Sequence, residues 1–222
     1  MTNTSIKETQ IKSSDRVRNH GEVLTARREV EAMLDLVKNE SERIDSRFLE
    51  PACGDGNFLV AILERKLKTV VARYRTKKAD FEVQMLSALA SIYGIDLLED
   101  NVQIARNRMF EIAYDCYKNS LKAKPDEQFQ DIMKFILSKN ILQGDSLNGI
   151  DKIVFTQWTL VGYKFKREEF LFSSLNQSAD FLNTPLFSAL TNENGEEVLL
   201  PNPNKEYPLI FYRNLGGIAW VF

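Results

Sequence analysis

The stretch Glu50-Pro51-Ala52-Cys53-Gly54-Asp55-Gly56-Asn57-Phe58-Leu59 decides how this chain is read. It follows a short apolar run, Arg47-Phe48-Leu49, and opens a helical pattern, Phe58-Leu59-Val60-Ala61-Ile62-Leu63. The order is strand, tight glycine turn, helix. Gly54 and Gly56 can take backbone conformations closed to other residues and let a ligand approach the main chain. The helix that follows offers free N–H groups and the positive end of its dipole. An acid on the strand beside a Cys-Gly-x-Gly turn suits a ligand that carries a positive charge of its own.

Working outward, Val30, Met33, Leu34 and Val37 recur at helical spacing upstream, with Thr25 as the candidate N-cap. Downstream the text turns basic at Arg65, Lys66, Lys68, Arg73, Arg75, Lys77 and Lys78. A solvated helix face is the preferred reading of that run, a phosphate-contacting surface the alternative. A helix from Phe81 to Ala90 leads into a second strand, Ile92-Tyr93-Gly94-Ile95, which ends in Asp96. An acid there can accept both hydroxyls of a ribose. Otherwise it caps the next helix, expected from about Glu99 through Met109 to Tyr117. The distance from the glycines to Asp96 exceeds the usual spacing, which an inserted helix explains. Pro125-Asp126 starts a further helix, and Asn140 to Leu147 reads as a third short strand and a turn carrying Asp145.

Composition bounds the function. At 222 residues, 44% hydrophobic and 27% charged, the chain can bury the core of one sizeable α/β domain, or of one domain with an appended piece. A net charge of -2 lacks the basic surplus of a self-sufficient nucleic-acid binder. Work on DNA would therefore need a local basic patch or a partner. The two cysteines, Cys53 and Cys116, suggest neither a disulfide framework nor a zinc site. The single histidine, His20, sits in a polar stretch with no nucleophile motif. The start of the chain has no apolar core of a signal peptide, and no run is long enough to span a membrane, so a cytoplasmic location is expected.

Pro51-Ala52-Cys53-Gly54, Gly56 and Phe58-Leu59 resemble the cofactor motif of DNA N6-adenine methyltransferases of restriction–modification systems, with Glu50 in place of Asp and Asp55 in place of Ser. Three more segments resemble that family in the order it requires. Gly21-Glu22-Val23-Leu24-Thr25 is similar to its N-terminal segment, with Leu24 for the aromatic and Ala26 for the proline. Tyr93-Gly94-Ile95-Asp96 precedes an Asn-x-x-x-Ala-Arg helix, and Asn140-Ile141-Leu142-Gln143-Gly144-Asp145-Ser146-Leu147 follows.

The resemblance implies a doubly wound, Rossmann-like α/β sheet with helices on both faces and an N-terminal helical segment. It implies S-adenosylmethionine as the cofactor and no metal. Glu50, Cys53, Gly54 and Gly56 would hold the methionine part, Asp96 the ribose and Asp145 the adenine, while Thr25, Pro51, Ala52, Phe58, Leu97 and Ser146 would complete the cofactor pocket. It covers residues 18–150 and divides the chain into a polar segment 1–20, a methyltransferase domain 21–158, and a C-terminal β-rich extension 159–222 packed on the same domain.

The family's (Asn/Asp/Ser)-Pro-Pro-aromatic catalytic motif does not occur in this sequence. It would be expected after a strand at Ile153-Val154-Phe155, where Thr156-Gln157-Trp158 stands instead. Trp158 is the candidate for stacking on a flipped base, and Asn202-Pro203 is the other candidate loop. Two functional classes stay open. One is a DNA adenine methyltransferase, or its cofactor-binding subunit, whose catalytic loop and target recognition come from a second polypeptide. The other is a catalytically inactive binding or regulatory module on the same fold. A methyltransferase for a small molecule or a protein is a third. Mixed aromatic and basic residues over Val161–Arg167, the Asn194-Gly195 turn signal and the apolar end Ile218–Phe222 point to strands, a hairpin and a packing or docking terminus.

Overall fold

The computed structural model describes residues 25–173 and 202–216. His20, Gly21–Leu24, the Asn194-Gly195 turn signal and the Ile218–Phe222 end lie outside the described residues.

Three short strands form a parallel sheet in the order β1 (Phe48–Glu50), β2 (Ile92–Asp96), β3 (Ile141–Gln143). Phe48 faces Ile92 and Glu50 faces Gly94, while Gly94 faces Ile141 and Asp96 faces Gln143. β2 is the central strand and is buried from Ile92 to Ile95, which explains its run of apolar residues without alternation.

Parallel neighbours need long crossovers, and each here contains two helices. α1 (Arg27–Leu36) and α2 (Lys38–Glu42) precede β1. α3 (Asn57–Tyr74) and α4 (Lys78–Ala90) join β1 to β2, so the long glycine-to-acid spacing is two helices. α5 (Glu99–Leu121) and α6 (Glu127–Asn140) join β2 to β3. Asp126 caps α6, its carboxylate accepting the Phe129 N–H at 2.9 Å.

After a 3-10 turn (Ile150–Lys152) the chain leaves this sheet. β4 (Val154–Val161), β5 (Lys164–Leu171) and β6 (Lys205–Phe211) form a separate antiparallel sheet. Gly162, at φ 62°, turns β4 into β5. Among the described residues the parallel sheet therefore winds one way only, outward from β1. The expected doubly wound sheet would put a strand on the far side of β1. β4, the next strand in the sequence, pairs with its neighbour β5 along one edge and has no ladder to β1 among the described residues. β4 meets the parallel layer through side chains. Tyr93 donates to the Thr156 carbonyl at 3.0 Å, and the Trp158 indole donates to Asn140 Oδ1 at 2.8 Å.

Two expectations change. The N-cap of α1 is Ala26 rather than Thr25, and Glu29 reaches back to accept the Ala26 N–H at 3.3 Å. Of the apolar stripe, Val30 and Leu34 are buried while Met33 and Val37 are exposed. In the basic run, Lys68, Arg73, Arg75, Lys77 and Lys78 do face solvent, but Arg65 and Lys66 are buried. Arg65 pairs with Glu31 at 2.6 Å and Asp35 at 2.7 Å on α1. The Lys66 amine donates to the Ile44 carbonyl (3.1 Å), the Ser46 carbonyl and the Ser91 hydroxyl (2.8 Å), tying α3 to the entries of β1 and β2.

A second buried charge fastens the far end of the described chain. Glu82 on α4 is 1% exposed. It accepts the Tyr117 hydroxyl of α5 at 2.8 Å, and the Tyr212 hydroxyl (2.8 Å) and Arg213 Nε (3.1 Å) of the 3-10 turn Tyr212–Asn214. Arg213 also bonds both oxygens of Asp126, at 2.9 and 2.7 Å.

Candidate functional site

The carboxyl ends of β1, β2 and β3 open into one cleft of about 380 Å³. It is the crevice in which open parallel sheets bind ligands. Thr25, Glu50, Pro51, Ala52, Cys53, Gly54, Phe58, Asp96, Leu97, Asp145 and Ser146 all line it. Gly56 does not. It is buried beneath the turn at φ 91°, where a Cβ would lie 2.9 Å from Ala105 Cβ. Its role is to let α3 approach α5 closely in a backbone conformation other residues avoid.

Asp96 organises the cleft. One carboxylate oxygen accepts the Gly54 N–H at 2.8 Å. The other accepts the Leu98 N–H at 2.9 Å and the Asn101 amide at 3.1 Å. Asp96 therefore fixes the glycine turn and starts α5 at once. With three donors bound, it keeps about one lone-pair site for an incoming hydroxyl. Cys53 N–H donates to Ile95 O at 2.9 Å, and Gly144 N–H to Asp96 O at 2.9 Å, so all three strand ends are stitched together.

Glu50 ends β1 half-buried. Burial pushes its carboxyl above the ordinary glutamate range, opposed only by a hydrogen bond from the Ala52 backbone. Burial, and then the nearby Asp96 and Glu50 charges, push the Cys53 thiol far above its usual range. At 7% exposure on the cleft wall, Cys53 sits where burial disfavours the thiolate. Asp145 heads a turn, accepting the N–H groups of Leu147 and Asn148 at 2.9 Å each. Those bonds, Asn148 first, hold its carboxyl below the usual range. Ser146 donates across the cleft to Pro51 O at 2.8 Å.

Trp158 lies elsewhere. It is 5% exposed, hydrogen-bonded to Asn140 and edge-on to Phe135 and Phe165 at 6.1 and 6.4 Å. It borders a larger cavity of about 990 Å³ by the entries of β1 and β2, at the other end of the strands from the cleft. Asn202-Pro203 sits at the entry to β6, outside the cleft lining, where Asn204 bonds Glu169 and Leu171 of β5.

Sequence reasoning named Asn101 and Ala105 only as part of a family-like helix start and missed Arg108, the third member of one stripe. Asn101, Ala105 and Arg108 fall at i, i+4 and i+7 on α5 and face the glycine turn. Asn101 bonds Asp96 and Ala105 packs under Gly56. Arg108 donates to Asp55 O at 2.8 Å and to Asn57 Oδ1 at 2.9 Å. The signal was the helical period itself, carried by polar and small residues instead of apolar ones.

With this geometry in hand, one family matches: the one described as MmeI, DNA-methyltransferase domain, over residues 24–161. The chain belongs to it. Membership makes it a DNA methyltransferase-family chain of the restriction–modification kind. No curated protein and no solved structure matches. The MmeI-family segment contains the whole cleft and ends with β4. Among the described residues, no helix is long and apolar enough to cross a membrane, and no cluster of His, Cys, Asp and Glu could hold a metal ion.

Proposed function

We propose that this chain binds S-adenosylmethionine in the cleft and serves as an adenine-N6 DNA methyltransferase, or as its cofactor-binding subunit. The observation that carries the proposal is Glu50. It is a partly desolvated carboxylate on the cleft wall, and among the described residues no cation offsets its burial. A cationic ligand offsets that cost. The cleft volume lies within the range of small-molecule sites, about 300–1,000 Å³. When bound, the cofactor supplies an electrophilic methyl group.

In this reading Glu50, Cys53 and the Gly54 backbone hold the amino-acid end, and Thr25, Pro51, Ala52 and Phe58 complete its walls. Asp96 and Leu97 take the ribose through the remaining lone pair, and Asp145 and Ser146 take the adenine. Gly56 acts from below by letting α3 and α5 close. The adenine-N6 specificity rests on the likeness of the Pro-Ala-Cys-Gly string and its companion segments. DNA is the substrate, target recognition and the catalytic loop come from a partner polypeptide, and the cytoplasm is the location. The reading includes the doubly wound sheet with helices on both faces, of which β1 to β3 supply one arm. It divides the chain into 1–20, a domain over 21–158 and an extension over 159–222, and β4 runs across that last boundary.

One observation favours a second reading, a catalytically inactive binding or regulatory module. Trp158 is packed and hydrogen-bonded in the core, away from the cleft. Calorimetric titration of the full chain with S-adenosylmethionine, with Glu50→Gln beside it, tests the binding claim. Saturable binding weakened by the substitution is expected, and no binding by the unsubstituted chain would sink it. Methyl transfer to DNA adenine, assayed after the chain is mixed with candidate partner subunits, then separates enzyme from module.

A further inference from the structure

We infer that Arg108 is a positioning residue that couples the glycine turn to the N-terminal approach of the chain, closing the amino-acid end of the cleft as one unit; this rests on the cofactor reading above. The geometry is a relay across three elements. From α5, Arg108 Nη1 donates to Asp55 O at 2.8 Å and lies 2.9 Å from Asp55 Oδ1. That ion pair supplies charge compensation without an aligned hydrogen bond to Oδ1. Arg108 Nη2 donates to Asn57 Oδ1 at 2.9 Å. Asn57, the first residue of α3, uses its amide nitrogen to donate to Thr25 O at 3.0 Å.

Thr25, Asp55 and Asn57 all line the cleft, on the wall formed by the glycine turn and the entry to α1. Asp145 and Ser146 line the opposite wall, on the turn after β3, and none of their hydrogen bonds reaches this relay. Asp96 fixes Gly54 from the β2 side. Arg108 fixes the next residues from the α5 side, so the turn is held at two points by groups of different elements. The planar guanidinium is what allows one side chain to hold Asp55 and Asn57 together; a lysine ammonium can compensate Asp55 but cannot span both with the same fork.

The mechanism predicts a selective effect. Removing the guanidinium frees the glycine turn and Thr25 while leaving the strand ends stitched by Asp96. Binding of a ligand that reaches the amino-acid end should weaken, and binding of one that stops at the thioether should not. The experiment compares the full chain with Arg108→Ala, titrated with S-adenosylmethionine and with 5′-methylthioadenosine, which lacks the amino-acid end. The expected result is an affinity for S-adenosylmethionine lowered on the order of tenfold, with that for 5′-methylthioadenosine unchanged.

Equal affinity of both proteins for S-adenosylmethionine would overturn the inference alone. So would a parallel loss for the two ligands, because a merely structural role moves both. Absence of binding by the unsubstituted chain would overturn the cofactor reading and this inference together. If Arg108→Ala does not fold, Arg108→Lys takes its place, with a smaller loss confined to S-adenosylmethionine expected and the same outcomes overturning it.

Discussion

The Asp96 carboxylate accepts the Gly54 N–H at 2.8 Å, joining the end of β2 to the turn after β1. Its second oxygen serves Leu98 N–H and Asn101. Asp96→Asn keeps the size but offers one acceptor oxygen instead of two. It can satisfy Gly54 or Leu98, not both, and a stranded buried donor costs about 1–3 kcal/mol. Urea denaturation should show a loss in that range, with a further loss of S-adenosylmethionine affinity. A fully stable variant would mean that the turn is held by other groups.

Gly94 faces the same turn from the strand floor. A Cβ there would lie 2.7 Å from Leu59 Cδ1 and 3.0 Å from Cys53 Sγ. Both neighbours are buried, so Gly94→Ala should cost about 1–3 kcal/mol through overpacking. Gly162→Ala is the control, because nothing lies within 4 Å of its Cβ and only the positive φ is strained. Melting curves should show a loss for both, and only Gly94→Ala should also disturb ligand binding.

Glu50 sets a pH dependence. Its carboxyl is raised above the ordinary range by burial. The folded chain therefore holds this proton more firmly than the unfolded chain. The stability it contributes is full below the ordinary glutamate pKa and is lost as pH rises through the raised one. Glu50→Gln should be neutral or mildly stabilising at pH 7 and nearly silent at pH 4. Affinity for a cationic ligand should run the opposite way, falling as pH drops through the raised pKa. Denaturation and titration series over pH 4–8 read both, and parallel trends would contradict the assignment.

Lys66 titrates in the other direction. Burial lowers its amine to about 7, with Asp45 and Glu40 pulling it up and Arg43 pushing it down. Above that pH the unfolded chain holds a proton that the folded chain has released. Stability should therefore rise with pH between about 7 and the ordinary lysine range. Lys66→Met should flatten this slope when thermal stability is followed over pH 6–10. A slope unchanged by the substitution would assign it to other groups.

Much of the cleft was legible because its chemistry is local. A glycine turn between a strand and a helix, an acid at a strand end and a small-residue turn are each written in a few adjacent residues, and the structure gathers them at the carboxyl ends of the three parallel strands. What was not legible depends on partners distant in sequence. Arg65 reads as a solvated cation until Glu31 and Asp35 are placed beside it. Thr25 looks like the better cap until Glu29 closes on Ala26. Trp158 looks available until Asn140 and two aromatic rings enclose it. β4 reads as the next strand of the first sheet, and nothing in its own residues names the antiparallel partner β5 beside which it lies.

The Glu82 network bears on where this chain can be cut. Tyr212 and Arg213, which bond that buried carboxylate, lie well past residue 161, the last residue that matches the family. A fragment ending there keeps the cleft yet leaves Glu82 inside the protein without its guanidinium, a cost of about 3–5 kcal/mol for a broken buried pair. The recognisable segment and the foldable segment are then different lengths of chain. A fragment of residues 24–161 should melt well below the intact protein, and Glu82→Gln should recover part of the difference in the fragment while destabilising the whole chain.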